Sequence, residues 1–230
     1  MTDPLHRYYT PPWMTKALFL RLPLPALVAS REEARGTKAR ILEPCAGPSY
    51  LARVLRDAGA QVTTGDLDPE VARLVDHTWD FPEWVRLKEQ RGEVDPRQWD
   101  AVITNPPFHA GPACVEAAMR VSPVVAMLLR LSFLEPCGDR AHLLHGAGLA
   151  HVIVLPRDGF IYPGKGKSKG GDTQTCAWFV WRRGYEGTAR IEHVTAREMA
   201  ELRGQLEFDF WCAQVDGQRQ RQSSLWGGEV

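Results

Sequence analysis

The residues best suited to chemistry form the run Asn105-Pro106-Pro107-Phe108, which follows the apolar stretch 99–104. That stretch is typical of a buried strand. Prolines lock the backbone and carry no N–H donor, so the turn after the strand is rigid. The Asn105 side-chain oxygen and the Pro106 carbonyl then offer two acceptors at fixed positions beside the flat ring of Phe108. Such a turn suits a planar group that carries an NH2, and the alternative is a proline-rich turn with Phe108 in the core.

Two other candidate groups follow predicted strands earlier in the chain. Segment 43–49 is a turn of small residues that leads into a predicted helix, where Gly47 would let a ligand approach the backbone. Asp66 ends the next predicted strand, roughly 20 residues later, which is the spacing at which dinucleotide folds hold ribose hydroxyls. Gly47 is followed by Pro48 and Ser49 rather than by the glycines that cradle a pyrophosphate. Together these features favour a nucleoside ligand without phosphates.

Strands and helices alternate along most of the chain, which predicts an α/β domain with a mostly parallel sheet. The predicted strands cover residues 39–43, 61–64, 101–104, 124–131, 151–155 and 176–181. The predicted helices cover residues 15–22, 50–58, 113–120, 139–144 and 196–209, with one more that begins at Pro69 and buries Val71, Leu74 and Val75. Ligands bind at the carboxyl ends of the strands in such sheets, so we expect the three candidate groups to meet at one edge.

Composition narrows the class of protein. A chain of 230 residues with 44% hydrophobic content fits one soluble domain. Its formal net charge is +0, so any binding of nucleic acid must rest on a local basic patch. The five cysteines are scattered and lack CxxC spacing, which argues against a zinc site and a disulfide framework and predicts a reducing, cytoplasmic compartment. No stretch is apolar enough, for long enough, to span a membrane, and the first residues lack the profile of a signal peptide.

Four stretches, in chain order, resemble motifs of S-adenosylmethionine-dependent methyltransferases. Tyr8-Tyr9-Thr10-Pro11-Pro12-Trp13 resembles the segment that closes over the methionine end of the cofactor in N6-adenine DNA methyltransferases whose motif X comes first. Glu43-Pro44-Cys45-Ala46-Gly47 resembles motif I, and Gly65-Asp66-Leu67-Asp68-Pro69 resembles the ribose-binding strand end. Asn105-Pro106-Pro107-Phe108 resembles the (D/N/S)-P-P-(Y/F/W) motif of the amino-methyltransferases. The resemblance covers about residues 8–182. Within it, the stretch from Gly159 to Trp181 is similar to phage-type adenine methyltransferases. The sequence departs from the family at Ser49, where a second glycine is usual.

The resemblance implies a Rossmann-like class I methyltransferase fold, with a mostly parallel sheet flanked by helices and an antiparallel final strand. It implies a methyltransferase domain at 1–195, in which residues 1–14 close over the cofactor, followed by a C-terminal helix and flexible tail at 196–230. The implied cofactor is S-adenosyl-L-methionine. The implied cofactor-binding residues are Tyr9, Thr10, Pro11, Glu43, Pro44, Cys45, Ala46, Gly47, Asp66, Leu67, Asp80, Phe81 and Asn105.

The resemblance also implies roles at the nucleoside end of the cofactor. Asp66 would accept hydrogen bonds from the ribose hydroxyls; its alternative role is to cap the helix at Pro69, for which Asp68 is the better candidate. Trp79-Asp80-Phe81, after another helix, resembles the segment that contacts the cofactor's adenine; Asp80 would accept from its exocyclic amine while Phe81 packs on the ring. The alternative there is an ordinary surface acid beside a core aromatic.

At the methionine end the implied roles are less specific. Glu43 would anchor the turn or contact the methionine amine. Tyr9 and Thr10 would bond the methionine carboxylate, and the alternative for the tyrosines is to pin the N-terminal segment to the core.

The catalytic residues implied by the motif are Asn105, Pro106, Pro107 and Phe108. If Asn105 and the Pro106 carbonyl accept both N–H bonds of an amine, they draw its nitrogen toward tetrahedral geometry and aim the lone pair at the methyl group. Phe108 would stack on the base, so catalysis rests on alignment and electrostatics. No base is needed before the attack, because the proton leaves afterwards. We therefore assign His109 no role as a general base.

The leading hypothesis is methylation of the adenine N6 amine in DNA, which requires a single strand or a flipped base. Residues after 182 leave no room for a large target-recognition domain, which predicts low sequence specificity. A basic loop, 164–171, would grip phosphates, and two aromatic side chains before it would contact the base. The predicted nucleic-acid-binding residues are Phe160, Tyr162, Lys165, Lys167 and Lys169.

Several alternatives stay open. The loop 164–171 could be solvated and the aromatics before it packed, and Trp178, Phe179 and Trp181 are predicted to lie in the core. The same motif serves amides, so RNA adenine or a protein glutamine could be the acceptor. The chain could also be a catalytically inactive module that binds nucleic acid. The basic loop and the N-terminal segment favour nucleic acid over protein.

Overall fold

The computed structural model describes residues 9–28, 38–138, 140–162, 166–167 and 174–204. Its helices are α1 (Pro12–Arg21), α2 (Leu24–Val28), α3 (Tyr50–Asp57), α4 (Phe81–Gln90), α5 (Gly111–Val121), α6 (Ala141–Leu144) and α7 (Ala196–Gly204). Its strands are β1 (Arg40–Glu43), β2 (Gln61–Asp66), β3 (His77–Thr78), β4 (Ala101–Thr104), β5 (Val124–Arg130), β6 (Leu149–Val154), β7 (Ile161–Tyr162), β8 (Gly166–Lys167), β9 (Cys176–Arg182) and β10 (Arg190–His193).

Eight of these strands form one sheet in the order β10-β6-β9-β5-β4-β1-β2-β3. Neighbouring strands are parallel except β9, which runs antiparallel to both β5 and β6. The mostly parallel sheet, the flanking helices and the antiparallel strand confirm the predicted fold class. Strands β7 and β8 pair separately as a small antiparallel hairpin. No helix in the described ranges has the length and apolar character needed to cross a membrane.

The sheet is covered on both faces, which explains why its central strands are apolar along their whole length. One face carries α1 and α3, and the other carries α4 and α5. In β9, Trp178 donates from its indole nitrogen to the Met14 carbonyl at 2.7 Å, and Trp181 donates to the Leu143 carbonyl at 2.8 Å. Both rings are buried, as is Phe179, so the prediction that these aromatics lie in the core is confirmed.

The prediction of a helix beginning at Pro69 is wrong. The chain makes only a three-residue 3-10 turn there, Pro69–Val71, and leaves Leu74 exposed. The Asp76 carboxylate accepts hydrogen bonds from the Thr64 N–H at 2.8 Å and from the Thr64 hydroxyl at 2.9 Å. The Asp76 N–H in turn donates to the Thr64 carbonyl. These bonds draw the chain back onto β2, where it adds the short edge strand β3. Segment 79–81 therefore follows a strand and not a helix.

The N-terminal helix is held by residues from the far end of the chain. Trp13 donates from its indole nitrogen to Asp158 at 2.8 Å, and Arg203 of α7 forms an ion pair with the same carboxylate. Arg21, in the last turn of α1, pairs with Glu198 of α7 at 2.8 Å. Helix α7 thus holds α1 in place, and the residues just before α1 extend to the candidate site.

Candidate active site

The carboxyl ends of β1, β2 and β4 surround a cavity of about 240 Å³. Strand β1 lies between the other two, so parallel pairing alone brings the three candidate groups to one edge. The predicted site residues that line the cavity are Tyr9, Thr10, Glu43, Pro44, Cys45, Ala46, Gly47, Asp66, Leu67, Asp80, Phe81, Asn105 and Pro107. Pro11 is buried just outside it, where its carbonyl accepts from the Met14 N–H in the first turn of α1.

Asp66 organises the turn after β1. Its carboxylate accepts one hydrogen bond from the Gly47 N–H at 2.7 Å and another from the Asp68 N–H at 2.8 Å. Gly47 has a φ of +50°, a left-handed conformation that favours glycine, and the Tyr9 ring lies against its α-carbon. Burial raises the pKa of Asp66, and backbone donors from Asp68, Gly47 and Leu67 oppose that rise. The two carboxylate oxygens have about four lone pairs, so the group can still accept from a further donor.

Ser49 stands where the resemblance leads us to expect a glycine, and its backbone takes a conformation that glycine would favour. Its φ is +63°, in the left-handed region. The Ser49 hydroxyl donates to the Leu74 carbonyl at 3.1 Å, which ties the strained residue to the chain beyond β2. The turn therefore keeps the backbone path expected of two glycines with only one at 47.

Glu43 is a buried acid at the end of β1. Burial raises its pKa well above the ordinary value, and the nearby Asp66 charge raises it further, while a hydrogen bond from the Ala52 N–H lowers it. Its Oε2 atom is buried without a partner in the described structure. Beside it, a hydrogen bond with the Cys114 thiol and burial raise the pKa of the Cys45 thiol. Glu43 thus has one carboxylate oxygen committed to α3 and one available to a donor.

Two other acids at the pocket begin helical segments. The Asp68 carboxylate accepts from the Glu70 N–H at 2.9 Å and caps the 3-10 turn, which confirms it as the better capping residue of its segment. Asp80 caps α4 by accepting from the Glu83 N–H at 3.3 Å, and it is exposed at the mouth of the pocket. Phe81 is buried beneath it and packs in the core.

Trp79 lines the pocket within the segment 79–81 that the sequence associates with the cofactor's adenine, although the sequence analysis assigns Trp79 itself no role. Its indole lies against the α-carbon of Gly65, where any side chain would overlap the ring. The ring stacks on His77 at 4.7 Å between centroids and contacts Trp84 at 4.6 Å. Its indole nitrogen is buried and has no partner in the described structure. Gly65 was a second signal, because a glycine inside a strand indicates a close approach by another group.

Asn105 is 9% exposed and lies at the end of β4. Its side-chain nitrogen donates to the hydroxyl of Thr10 at 2.9 Å. Its side-chain oxygen, Oδ1, is buried and has no partner among the described residues. Asn105 therefore presents an unsatisfied acceptor where the sequence predicts the target amine.

The ring of Phe108 contacts an aromatic side chain and a guanidinium. It makes an edge contact with Phe160 at 6.1 Å, and the guanidinium of Arg130 lies over the ring at 4.6 Å from the centroid. Phe160 is 1% exposed, so the structure places it behind Phe108 and not at the surface. Arg130, which ends β5, was not identified from the sequence, since a single arginine after an apolar strand carries no distinctive pattern.

The structure describes only part of the other residues predicted to bind nucleic acid. The backbones of Tyr162 and Lys167 pair in the β7–β8 hairpin, and their side chains lie outside the described structure. Lys165 and Lys169 also lie outside the described residues.

No family model and no curated protein matches this sequence. Among solved structures, a candidate RNA methyltransferase, PH1948 from Pyrococcus horikoshii, superposes with a TM-score of 0.54 at 18% identity, over 78% of this chain and 87% of that one. A nuclease-deletion mutant of the Type ISP restriction-modification enzyme LlaGI, in complex with a DNA substrate mimic, gives a TM-score of 0.53 at 11% identity. That match covers 88% of this chain and 29% of LlaGI. The chain has the Rossmann-like methyltransferase fold.

Proposed function

We propose that this protein transfers the methyl group of S-adenosyl-L-methionine to the N6 amine of adenine in DNA, with little sequence specificity. The observation that carries the proposal is the buried Oδ1 of Asn105, which has no partner in the described structure. A buried acceptor without a donor costs about 1–3 kcal/mol, and a ligand bound in the pocket that Asn105 lines would remove that cost. An amine with two N–H bonds supplies the missing donor.

The pocket residues fit the proposed cofactor. Asp66 is placed to accept from ribose hydroxyls, because it lines the pocket and its two carboxylate oxygens together offer more lone pairs than its backbone donors use. The unpartnered Oε2 of Glu43 suits the ammonium of a methionine moiety, and Asp80 at the mouth suits the exocyclic amine of an adenine. When bound, the cofactor supplies an electrophilic methyl group on a positively charged sulfur.

Asn105 and Pro106 would then act on the acceptor nitrogen. Asn105 Oδ1 accepts one N–H bond and the Pro106 carbonyl accepts the other, which directs the nitrogen lone pair at the methyl group. A positive charge develops on the amine nitrogen as its bond to the methyl group forms, and the two oxygens stabilise that charge through the N–H bonds they accept. The proton leaves afterwards to water, so this scheme uses no general base.

Arg130 favours an anionic acceptor such as nucleic acid over a neutral amide. It is exposed at the end of β5, directly over Phe108, and forms no ion pair with any residue that the structure describes. It also borders an open groove formed with Ser132, Gln174 and Thr175. A base that reaches Asn105 brings its phosphates to this side, where an unpaired guanidinium would bind them.

The proposal is tested by following tritiated methyl groups from S-adenosylmethionine into single-stranded DNA, duplex DNA, RNA and a glutamine-containing protein mixture. DNA and RNA lead the panel because the two structural neighbours are described as nucleic-acid enzymes. We expect label in DNA, recovered as N6-methyladenine after digestion. Label confined to RNA adenine or to protein glutamine would exclude DNA as the substrate. Cofactor binding without transfer to any acceptor would instead identify a catalytically inactive module.

Arg130 provides a second test, in which DNA affinity is measured between low and moderate salt. Arg130→Gln should weaken binding and reduce the slope of log affinity against log salt by about 1, because one phosphate contact is lost. Arg91→Gln is the matched control, since Arg91 is an exposed arginine that ends α4. Equal slopes for wild type and Arg130→Gln would contradict the phosphate contact.

A further inference from the structure

The link between Thr10 and Asn105 carries an inference that rests on the proposed function and goes beyond the roles predicted for either residue. The two side chains meet across 95 positions of sequence, and both are nearly inaccessible, at 6% and 9% exposure. The Asn105 side-chain nitrogen donates to the Thr10 hydroxyl at 2.9 Å. The bond is therefore buried, specific and made at the residue that presents the unsatisfied acceptor.

An asparagine side chain needs such a bond to serve as an acceptor. The torsion that rotates its amide is broad and has two nearly equivalent wells. In one orientation Asn105 presents its oxygen to an amine, and in the other it presents an NH2 group. Two N–H groups facing each other form no hydrogen bond, so only the first orientation aligns the acceptor nitrogen. In the described orientation the Thr10 hydroxyl accepts from the amide nitrogen, which leaves Oδ1 for another donor. A hydroxyl can also donate, so Thr10 fixes the position and plane of the amide, and the substrate amine selects the orientation that presents the oxygen.

We propose that Thr10 is a positioning residue for methyl transfer, which fixes the Asn105 amide so that Oδ1 meets the substrate amine. Thr10 precedes α1, and the Tyr9 ring beside it lies against Gly47 in the turn after β1. The same short segment therefore covers the proposed cofactor turn and orients the catalytic amide. This role differs from the predicted one, in which the Thr10 hydroxyl bonds the cofactor's carboxylate.

The test compares Thr10→Val, which is nearly isosteric but lacks the hydroxyl, with Thr10→Ser, which keeps it. We expect kcat for DNA methylation to fall about 10²-fold in Thr10→Val, the scale of a misaligned reacting group. The Kd for S-adenosylmethionine should stay within about twofold of wild type, and Thr10→Ser should recover most of kcat. Thr15→Val is the matched control, because the buried Thr15 hydroxyl has no partner in the described structure and α1 carries it away from Asn105.

A double-mutant cycle locates the effect at Asn105. Adding Thr10→Val to an Asn105→Ala protein should cause no further loss of kcat, because the amide that Thr10 positions is already gone. Additive losses would overturn the proposal. So would a loss in Thr10→Val that falls on the cofactor Kd with kcat unchanged, since that result assigns Thr10 to the cofactor.

A measurement without substrate separates this proposal from the proposed function. The side-chain NH2 resonances of Asn105, identified by their absence in Asn105→Ala, should exchange with solvent about 10-fold more slowly in wild type than in Thr10→Val. Slow exchange in a protein that methylates none of the acceptors would leave the positioning bond intact and refute only the substrate assignment. Equal exchange rates in the two proteins would overturn the positioning bond itself.

Discussion

Asp66, on the proposed ribose side of the pocket at the end of β2, differs from Asn105, on the proposed amine side at the end of β4, in how fully the protein satisfies its side-chain oxygens. On the ribose side both oxygens of Asp66 already accept backbone donors, from Gly47 and Asp68. On the amine side Asn105 has its nitrogen bonded to Thr10, while its oxygen has no partner in the described structure. The protein thus supplies donors to the Asp66 oxygens by itself, whereas in the proposed function a ligand supplies the donor for the Asn105 oxygen.

This difference separates two ways of making a binding site. A carboxylate that shapes its own turn contributes to folding as well as to binding, so its loss should damage both. An acceptor left without a donor contributes little to folding, because its burial is unfavourable until a ligand arrives. Substitutions on the two sides should therefore differ in whether stability changes along with function.

The largest effect is expected for Asn105→Ala. Removing the acceptor should lower kcat by about 10²- to 10³-fold, the range found when one preorganised group at a reacting centre is deleted. The thermal midpoint should fall less than in Asp66→Ala, because the lost oxygen has no partner in the described structure and the lost nitrogen makes a single hydrogen bond, to Thr10. Steady-state kinetics and calorimetry on the same preparation measure both quantities. An undiminished kcat would show that the reaction is not organised around this amide.

Asp66→Ala should instead lower both affinity and stability. Two backbone N–H groups lose their acceptor, at about 1–3 kcal/mol for each one left unsatisfied, and the Kd for S-adenosylmethionine should rise about 10- to 100-fold. Urea unfolding and equilibrium binding measure the two changes. Asp95→Ala is the matched control, because Asp95 accepts from one N–H, that of Arg97, at an exposed site. If Asp66→Ala weakened binding without loss of stability, the two sides of the pocket would not differ as described.

Gly65→Ala tests the close packing behind the ribose side. The added methyl group would overlap the indole of Trp79, which is itself packed against His77 and Trp84. We expect a loss of about 1–3 kcal/mol in the free energy of unfolding, typical of overpacking. Gly138→Ala, where the added methyl would meet nothing within 4 Å, should change stability by less than about 0.5 kcal/mol. Equal stability of the two variants would mean that the ring moves away freely.

The smallest expected effect is a change in how the free energy of unfolding depends on pH when Glu43 is replaced by glutamine. Burial raises its pKa in the folded protein above the ordinary 4.5, so the unfolded chain releases its proton first. Stability from this group is present below pH 4.5 and is lost as pH rises through the folded pKa. Glu43→Gln cannot ionise, so its stability relative to wild type should increase with pH above 4.5. Urea unfolding at several pH values gives the two curves, and parallel curves would contradict a neutral Glu43.

Much of this site could be predicted because its residues follow apolar strands. The strand ending at Thr104 is marked by an apolar run, and those ending at Glu43 and Asp66 by short segments set between turns and helices; parallel pairing then places the three ends together. The predicted class of fold follows from the same alternation. The roles at each residue within the pocket remain predictions, since the structure fixes their positions and not their ligands.

Contacts between distant residues explain what the sequence could not reveal. The bonds of Asp76 to Thr64 replace the helix predicted after Pro69 with a turn and an edge strand, although the local pattern favours a helix. Strand β10 was missed because three of its four residues are exposed, which leaves no buried face to detect. The Thr10–Asn105 bond joins two motifs that the sequence analysis treated separately.

The fastening of α1 by α7 has a consequence for how the protein is made. Trp13 and Arg203 share the carboxylate of Asp158, so the helix next to Thr10 lacks part of its support until just over 200 residues have been synthesised. At about 5–20 residues per second, translation takes roughly 10–40 s to reach that point. A nascent chain therefore carries an unfinished pocket until α7 has been made, and the pocket is completed only after that point.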